Sequence, residues 1–240
     1  MLEVHNLEVS YGKIRAVQGV SINVDEGEIV ALIGANGAGK SSTMHAICGI
    51  ERVKGGEVHF SGDKISGLPS HKIISRGLIQ VPEGRLIFGG LTIEENLRMG
   101  AFNTVGQGPI SDEISSVLRN FPMLKDRLTE RASALSGGQA QMLALARALM
   151  AKPKLIMLDE PSLGLAPIAV EEVYKLIEEL PKTCITVLLV EQIVRQALAV
   201  ADRGYVIESG KIILEGSSKK LLNNDMLVKA YMGLGKVNND

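Results

Sequence analysis

Hydrophobic positions along this chain fall into two kinds of run. Residues 2–9 and 20–24 alternate apolar and polar side chains, the period-2 pattern of half-buried strands in an antiparallel sheet, with Tyr11-Gly12 between them. Residues 29–33, 78–81, 155–158 and 185–190 are apolar almost without interruption and rich in β-branched residues, which predicts strands covered on both faces. Gly55-Gly56 leads into a further short strand at 57–60, and Ser61-Gly62 separates it from a short helix at 71–76 that Gly77 ends. After Pro82 the period becomes helical for about 70 residues. Thr92-x-x-Glu95 and Ser136-x-x-Gln139 are capping boxes. A Gly/Pro loop at 106–109 precedes a helix at 111–120, and the second box opens a long Ala/Leu/Met-rich helix that Lys152-Pro153 terminates. Beyond it come a helix at 168–180, a hairpin of 205–208 and 211–215 about Ser209-Gly210, and short helices at 219–222 and 226–232.

This alternation of strand and helix predicts an α/β fold with a mostly parallel core sheet, an antiparallel edge β-subdomain and an inserted helical subdomain. Residues 1–81 and 153–232 are expected to form the α/β part and 82–152 the helical part of a single 240-residue domain, with a frayed tail at 233–240. At 45% hydrophobic the chain has enough apolar content for one substantial core. No run reaches the roughly 18–20 apolar residues of a membrane span, and the N-terminus lacks the pattern of a secretory signal. A cytosolic protein that reaches a membrane only through a partner is therefore expected. A net charge of −1 with interspersed signs leaves no basic footprint for nucleic acid. Cys48 and Cys184 have neither disulfide nor zinc spacing, and His5, His45, His59 and His71 have no ligand spacing, so no metal chemistry is assigned to them.

The chemistry concentrates where the run at 29–33 stops at GANGAGKSS. Gly34, Gly39, Lys40 and Ser41 fit the P-loop spacing G-x-x-x-x-G-K-[ST], in which glycines, here including Gly37, let the backbone curl its N–H groups around a polyphosphate. Asn36 and Ala38 complete the loop. A helix starting near Lys40 adds its positive end, Lys40 reaches β- and γ-phosphates, Ser41 ligates Mg²⁺ and Ser42 supports the α-phosphate. A second site is expected where the strand at 155–158 ends in Asp159-Glu160. Asp159 suits metal holding, and Glu160 suits a general base acting on water. In LSGGQ (135–139), Ser136, Gly137, Gly138 and Gln139 stand at a helix N-terminus, which makes a further anion site without a lysine.

In this order the P-loop, LSGGQ and the Asp-Glu strand end resemble the ATP-binding-cassette (ABC) ATPases, over the whole chain to about residue 232. The resemblance implies a P-loop ABC cassette, ATP and Mg²⁺ as ligands, and an ATP-dependent dimer, either a homodimer or a pair with a second ATPase subunit. In that dimer the P-loop of one copy faces the signature peptide of the other. Tyr11 and Ala16 match the family's adenine platform; without the family, Tyr11 packed in the edge sheet is the better reading. Three positions depart from the general pattern. Glu83 replaces the usual metal-sensing glutamine, Gln80 lying about 10 Å back along an extended strand. Gln192 replaces the switch histidine and cannot become charged near neutral pH. Ala166 stands where the D-loop aspartate is expected.

VPEGR, EPSLGLAP, VEQ and the terminal VKAYMGLG are similar to one ATPase subunit of importers for branched-chain, hydrophobic amino acids. Membrane permease subunits are the implied partners, with a solute-binding protein involved indirectly and the chain peripheral on the cytoplasmic face of the inner membrane. ATPases of short-amide and urea importers share much of the pattern, and a soluble ABC assembly or regulatory ATPase remains open. Residues 85–97 are the implied docking surface for a permease helix; packing of Leu86, Ile87 and Phe88 under the subdomain is the alternative.

Overall fold

A computed structural model describes residues 1–104 and 109–227. Strands β1 (Leu2–Tyr11) and β2 (Ile14–Val24) form a hairpin. β2 begins well before the alternation at 20–24 because Gly19, at φ 82°, breaks its phase while the pairing continues through Gln18 and Arg15. On β1 the register shifts at Asn6, φ 48°, so Leu2 and Val4 before it and Leu7 and Val9 after it are all buried. There follow β3 (Ile29–Ile33), α1 (Lys40–Ile47), β4 (Gly55–Phe60), β5 (Asp63–Lys64), α2 (Ser70–Ile74) and β6 (Leu78–Val81).

The expected helical stretch resolves into α3 (Ile93–Gly100), α4 (Ile110–Val117), α5 (Pro122–Lys125) and α6 (Gly137–Leu149), with irregular segments and single turns of tighter helix between them. Prolines and the Gly89-Gly90 pair divide what a periodic reading runs together. Both capping boxes form, Thr92 on α3 and Ser136 on α6, each with its reciprocal side-chain to backbone bonds. Part of the loop at 106–109 lies outside the described residues, as do most of the helix at 226–232 and all of the tail. The chain continues through β7 (Leu155–Asp159), α7 (Pro167–Glu179), β8 (Thr186–Glu191), α8 (Val194–Val200), β9 (Arg203–Glu208), β10 (Lys211–Ser217) and α9 (Ser218–Leu222). The seven-residue α8 is too short for its periodicity to stand out beside β8.

Two sheets result, an antiparallel one ordered β2-β1-β4-β5 and a six-stranded one ordered β10-β9-β3-β8-β7-β6 in which only the β9–β10 pair is antiparallel. Alternate residues of the buried strands feed two cores. Val30, Leu32, Met157, Leu188 and Val190 face α1 and the antiparallel sheet, while Ala31, Ile33, Ile156, Leu158, Val187 and Leu189 face α6, α7 and α8. That two-sided covering is why these strands read as continuous apolar runs.

α3 and α6 meet at Gly100, where an added Cβ would lie 2.0 Å from the Arg147 carbonyl oxygen. Gly100→Ala is therefore expected to push the helices apart and to destabilise the protein by about 1–3 kcal/mol, the usual range for overpacking. Urea denaturation of the two proteins measures this; an unchanged midpoint would mean that the two helices are not held this closely.

Candidate active site

The parallel register brings the C-terminal ends of the central strands to one edge. Ile33 of β3 lies opposite Glu191 of β8, Asp159 of β7 opposite Val190, and Val81 of β6 opposite Leu158. Backbone bonds continue past the strand ends, from Glu160 N–H to Val190 O at 2.9 Å and from Gly34 N–H to Glu191 O at 3.4 Å. A polar cleft opens at this edge, lined by Ala16, Asn36, Gly37, Gly39, Lys40, Ser41, Ser42, Glu83, Glu160 and Leu163. Segments far apart in sequence thus contribute one wall each.

Gly39 is the N-cap of α1 at φ 108°, and a Cβ there would sit 2.6 Å from the Ala16 carbonyl oxygen, so only glycine fits. No side chain caps α1 and its first turn carries no acidic residue, which leaves the helix's positive end available to an anion. Lys40 is 4% exposed and its Nζ donates to the Gly34 and Ala35 carbonyls at 2.8 and 3.1 Å. The same ammonium pairs with Glu160 Oε1 at 3.1 Å. Glu160 itself holds φ 46°, a left-handed conformation unfavourable for a side-chain-bearing residue.

Asp159 is buried, and burial raises its pKa, with further upward pushes from the charges of Glu160 and Glu83 against a hydrogen bond from Ser41 and the charge of His45. Its Oδ1 is buried without a hydrogen-bond partner. A desolvated carboxylate oxygen with a free lone pair, beside the Ser41 hydroxyl and the Glu83 carboxylate, fits a hard divalent cation, which binds oxygen donors. Tyr11 is 41% exposed at the β1–β2 hairpin, so it is not packed away in the sheet; Ala16, on the same hairpin, lines the cleft and Tyr11 does not.

Gln192, exposed at the end of β8, shares an adjoining hollow with Glu160, Ser162, Leu163, Glu191 and Gln196. The signature residues lie elsewhere: none of Ser136, Gly137, Gly138 and Gln139 lines the cleft. Ser136 Oγ accepts from the Gln139 amide at 3.4 Å, and Gln139 Oε1 accepts from the Ser136 amide at 3.1 Å and from Arg127 at 2.9 Å. Arg85 lies against Gly137 and donates to the Gly164 carbonyl at 3.2 Å, joining the loop after Glu83 to the signature peptide and to the loop after Glu160. Ala166 is the N-cap of α7 and makes no side-chain bond, while Pro167 at the first helical position supplies the turn geometry instead.

Sequence reading missed two features. Glu191 is a buried carboxylate bonded to Ser162 and Tyr174, and the partners lie too far away in sequence to signal each other. The apolar run 86–88 divides: Ile87 packs on the core, whereas Leu86 and Phe88 are 62% and 46% exposed. With Ile50, Met99 and Phe102 they line an open groove between α1, α2 and β6 on one side and α3 and α6 on the other. His5 and His59 also meet, edge to face at 6.1 Å across β1 and β4.

Comparison with known proteins gives a family match, described as ABC transporter, over residues 17–163. The chain is 47% identical to the high-affinity branched-chain amino acid transport ATP-binding protein BraG of Pseudomonas aeruginosa, over 97% of this chain and 100% of that one. It is 35% identical to the probable branched-chain amino acid transport ATP-binding protein LivF of Archaeoglobus fulgidus, over 98% and 99%. Among solved structures, a nucleotide-free ATP-binding cassette from an ABC transporter superposes with TM-score 0.87 at 28% identity, over 97% and 99%. The dimeric bacterial ABC transporter cassette MJ0796 superposes with TM-score 0.81 at 26% identity, over 91% and 99%.

The Lys40–Glu160 pair sets an expectation for binding. Lys40→Ala deletes the ammonium expected to meet a β- or γ-phosphate and should weaken ATP binding by about 10–100-fold, the scale of a lost charge-assisted contact. Glu160→Gln leaves Lys40 its two carbonyl acceptors and should bind ATP at least as tightly as the unsubstituted chain. Calorimetric titration checks both; unchanged affinity in Lys40→Ala would remove the lysine from the phosphate site.

Proposed function

Because this chain belongs to the ABC transporter family of ATPases, we propose that it is the ATP-binding and ATP-hydrolysing subunit of an importer for branched-chain, hydrophobic amino acids. The observation that carries the reading is the cleft itself, which joins the P-loop to Glu83 and Glu160 at the sheet edge while leaving the signature peptide outside. The full-length identity to BraG supports the choice of solute class.

ATP enters with its phosphates against the loop 34–42, Asn36, Gly37, Ala38 and Gly39 presenting backbone, Ser42 supporting the α-phosphate, and the adenine resting on Tyr11 beside Ala16. Lys40 gives up Glu160 for the β- and γ-phosphates. The freed Glu160 carboxylate orients a water and accepts its proton, and Gln192 donates a hydrogen bond to the γ-phosphate. Ser41, Asp159 and Glu83 would hold Mg²⁺, which when bound neutralises charge developing on the phosphate oxygens. The signature residues Ser136 to Gln139 close the site from a second copy or a second ATPase subunit; the dimeric state of the MJ0796 cassette supports this. Residues 1–81 and 153–232 act as the nucleotide-binding body and 82–152 as the helical subdomain that carries the signature.

No helix among the described residues is long and apolar enough to cross a membrane. We place the chain on the cytoplasmic face of the inner membrane, held there by permease subunits, with a solute-binding protein engaged only through them. The exposed groove rimmed by Leu86, Phe88, Met99 and Phe102 is the proposed seat for a short amphipathic permease helix.

Four outcomes test this reading. Glu160→Gln should lower turnover by about 100-fold or more, the usual range for removing a general base. Lys40→Ala and Ser136→Arg should each be inactive alone, yet regain partial activity when mixed, since one interface of the mixed dimer keeps both intact halves. Sedimentation of the Glu160→Gln protein should show an ATP-dependent dimer; monomers only at saturating ATP would overturn self-association. Phe88→Asp should cut co-purification with the permease by about tenfold, as for a central interface anchor, while soluble ATPase activity stays within about twofold. Loss of folding in that variant would show that Phe88 serves the core.

A further inference from the structure

The carboxylate of Glu191 sits at the end of β8 with the residue only 2% exposed, and four neutral donors converge on it. The Ser162 hydroxyl at 2.8 Å, the Ser162 amide at 3.4 Å and the Tyr174 hydroxyl at 2.9 Å reach Oε1, and the Gln192 amide reaches Oε2 at 3.2 Å. These donors belong to three separate pieces of chain: the loop that leaves Glu160, the helix α7 and the residue that follows β8. Burial pushes the Glu191 pKa up against the pull of its hydrogen bonds, and it pushes the Tyr174 pKa up as well. An apolar side chain at this position would avoid the desolvation cost of a carboxylate, so the group is not explained by stability.

What the carboxylate does is tie two reacting segments together. Ser162 lies two residues beyond Glu160, and Gln192 is next to Glu191 itself; both line the hollow that Glu160 shares. We propose that Glu191 is a positioning residue for ATP hydrolysis: it clamps the loop after Glu160 to the backbone of Gln192, so that the base and the γ-phosphate contact move as one unit, with Tyr174 anchoring both to α7. This rests on the assignment of Glu160 as the base and of Gln192 as the phosphate contact.

Glu191→Gln separates positioning from packing because the amide keeps the size of the side chain. Its carbonyl oxygen can still accept from Ser162 and Tyr174, but its NH₂ group then faces the Gln192 N–H, donor against donor, and the clamp fails on that side. Tyr174→Phe removes the α7 tether with almost no change of shape. Both are compared with the unsubstituted protein for ATP affinity, KM, kcat and thermal midpoint, and Glu160→Gln is run in parallel. For Glu191→Gln the expected result is a fall in kcat of about 10-fold or more, the scale of a lost hydrogen bond to a charged group, with ATP affinity and KM within about twofold. Tyr174→Phe should lower kcat in the same direction and more mildly, again at constant KM. If Glu191→Gln does not fold, Tyr174→Phe decides the matter by the same split. A kcat within twofold of normal in the folded variants, or a rise in KM at constant kcat, would overturn the proposal. Retained turnover in Glu160→Gln would overturn the assignment of the base and this role with it, whereas an inactive Glu160→Gln beside a fully active Glu191→Gln would overturn the positioning role alone.

Discussion

An ammonium shut away from water must be neutralised where it stands, and Lys40, at 4% exposure, meets that demand with two backbone carbonyls and one carboxylate. The rest of the site follows from this requirement. The loop must curl far enough to turn Gly34 and Ala35 carbonyls toward the lysine, which it does through glycine conformations that a side chain would forbid at Gly39. Glu160 must come within 3.1 Å of Nζ, which it does at the cost of a left-handed backbone held by bonds to Val190 and Leu163. A polyphosphate offers the lysine more negative charge than one carboxylate, so its arrival and the release of Glu160 are a single electrostatic exchange. The proposed base is thus paired with Lys40 when there is no phosphate at the loop.

Such an arrangement needs loops from several strands to end within a few ångströms of one another, and parallel pairing supplies it. Neighbouring strands running the same way finish on the same edge, with Ile33, Asp159, Val190 and Val81 nearly level. The strands can carry polar ends only because both faces behind them are sealed, one by α1 and the antiparallel sheet, the other by α6, α7 and α8. Asp159 shows the consequence: it belongs to a fully buried strand and still ends with an oxygen that no protein group satisfies.

How much of this was legible depended on range. The P-loop, both capping boxes and the Asp159-Glu160 strand end are written within a few neighbouring residues, where spacing alone fixes the geometry. The covered strands were legible for the same reason, since five apolar residues in a row admit few alternatives at 29–33. Glu191 was not, because its meaning lies in partners 29 and 17 residues away. Gly100 was not, because its tight approach to Arg147 exists only once two helices have packed. The first half of β2 escapes a period-2 reading because Gly19, at φ 82°, and the register shifts against β1 put Val17 out of phase with the alternation at 20–24, although Val17 is buried as fully as Val20. The division of Leu86, Ile87 and Phe88 into one half-buried and two exposed residues follows from a left-handed turn at Arg85 and Leu86, which apolarity alone does not encode.

The signature peptide brings out the asymmetry of the single chain. α6 runs for 13 residues beyond its Ser136 cap, with no acidic group in its first turn, so its positive end is undiminished. The capping box uses Ser136 and Gln139 to satisfy each other's amides, and the glycines between them expose backbone on the outside of the molecule. Arg85 braces that outer surface from below, and the Gly164 carbonyl it contacts belongs to the loop that Glu191 clamps. One end of the hydrogen-bonded framework therefore lies at the chain's own cleft and the other at the start of α6, which the cleft does not include. In the proposed dimer, a charge at Lys40 and a charge from the other copy at Ser136 would act on the two ends of one braced unit, a physical route for coupling two half-sites across a pair of chains.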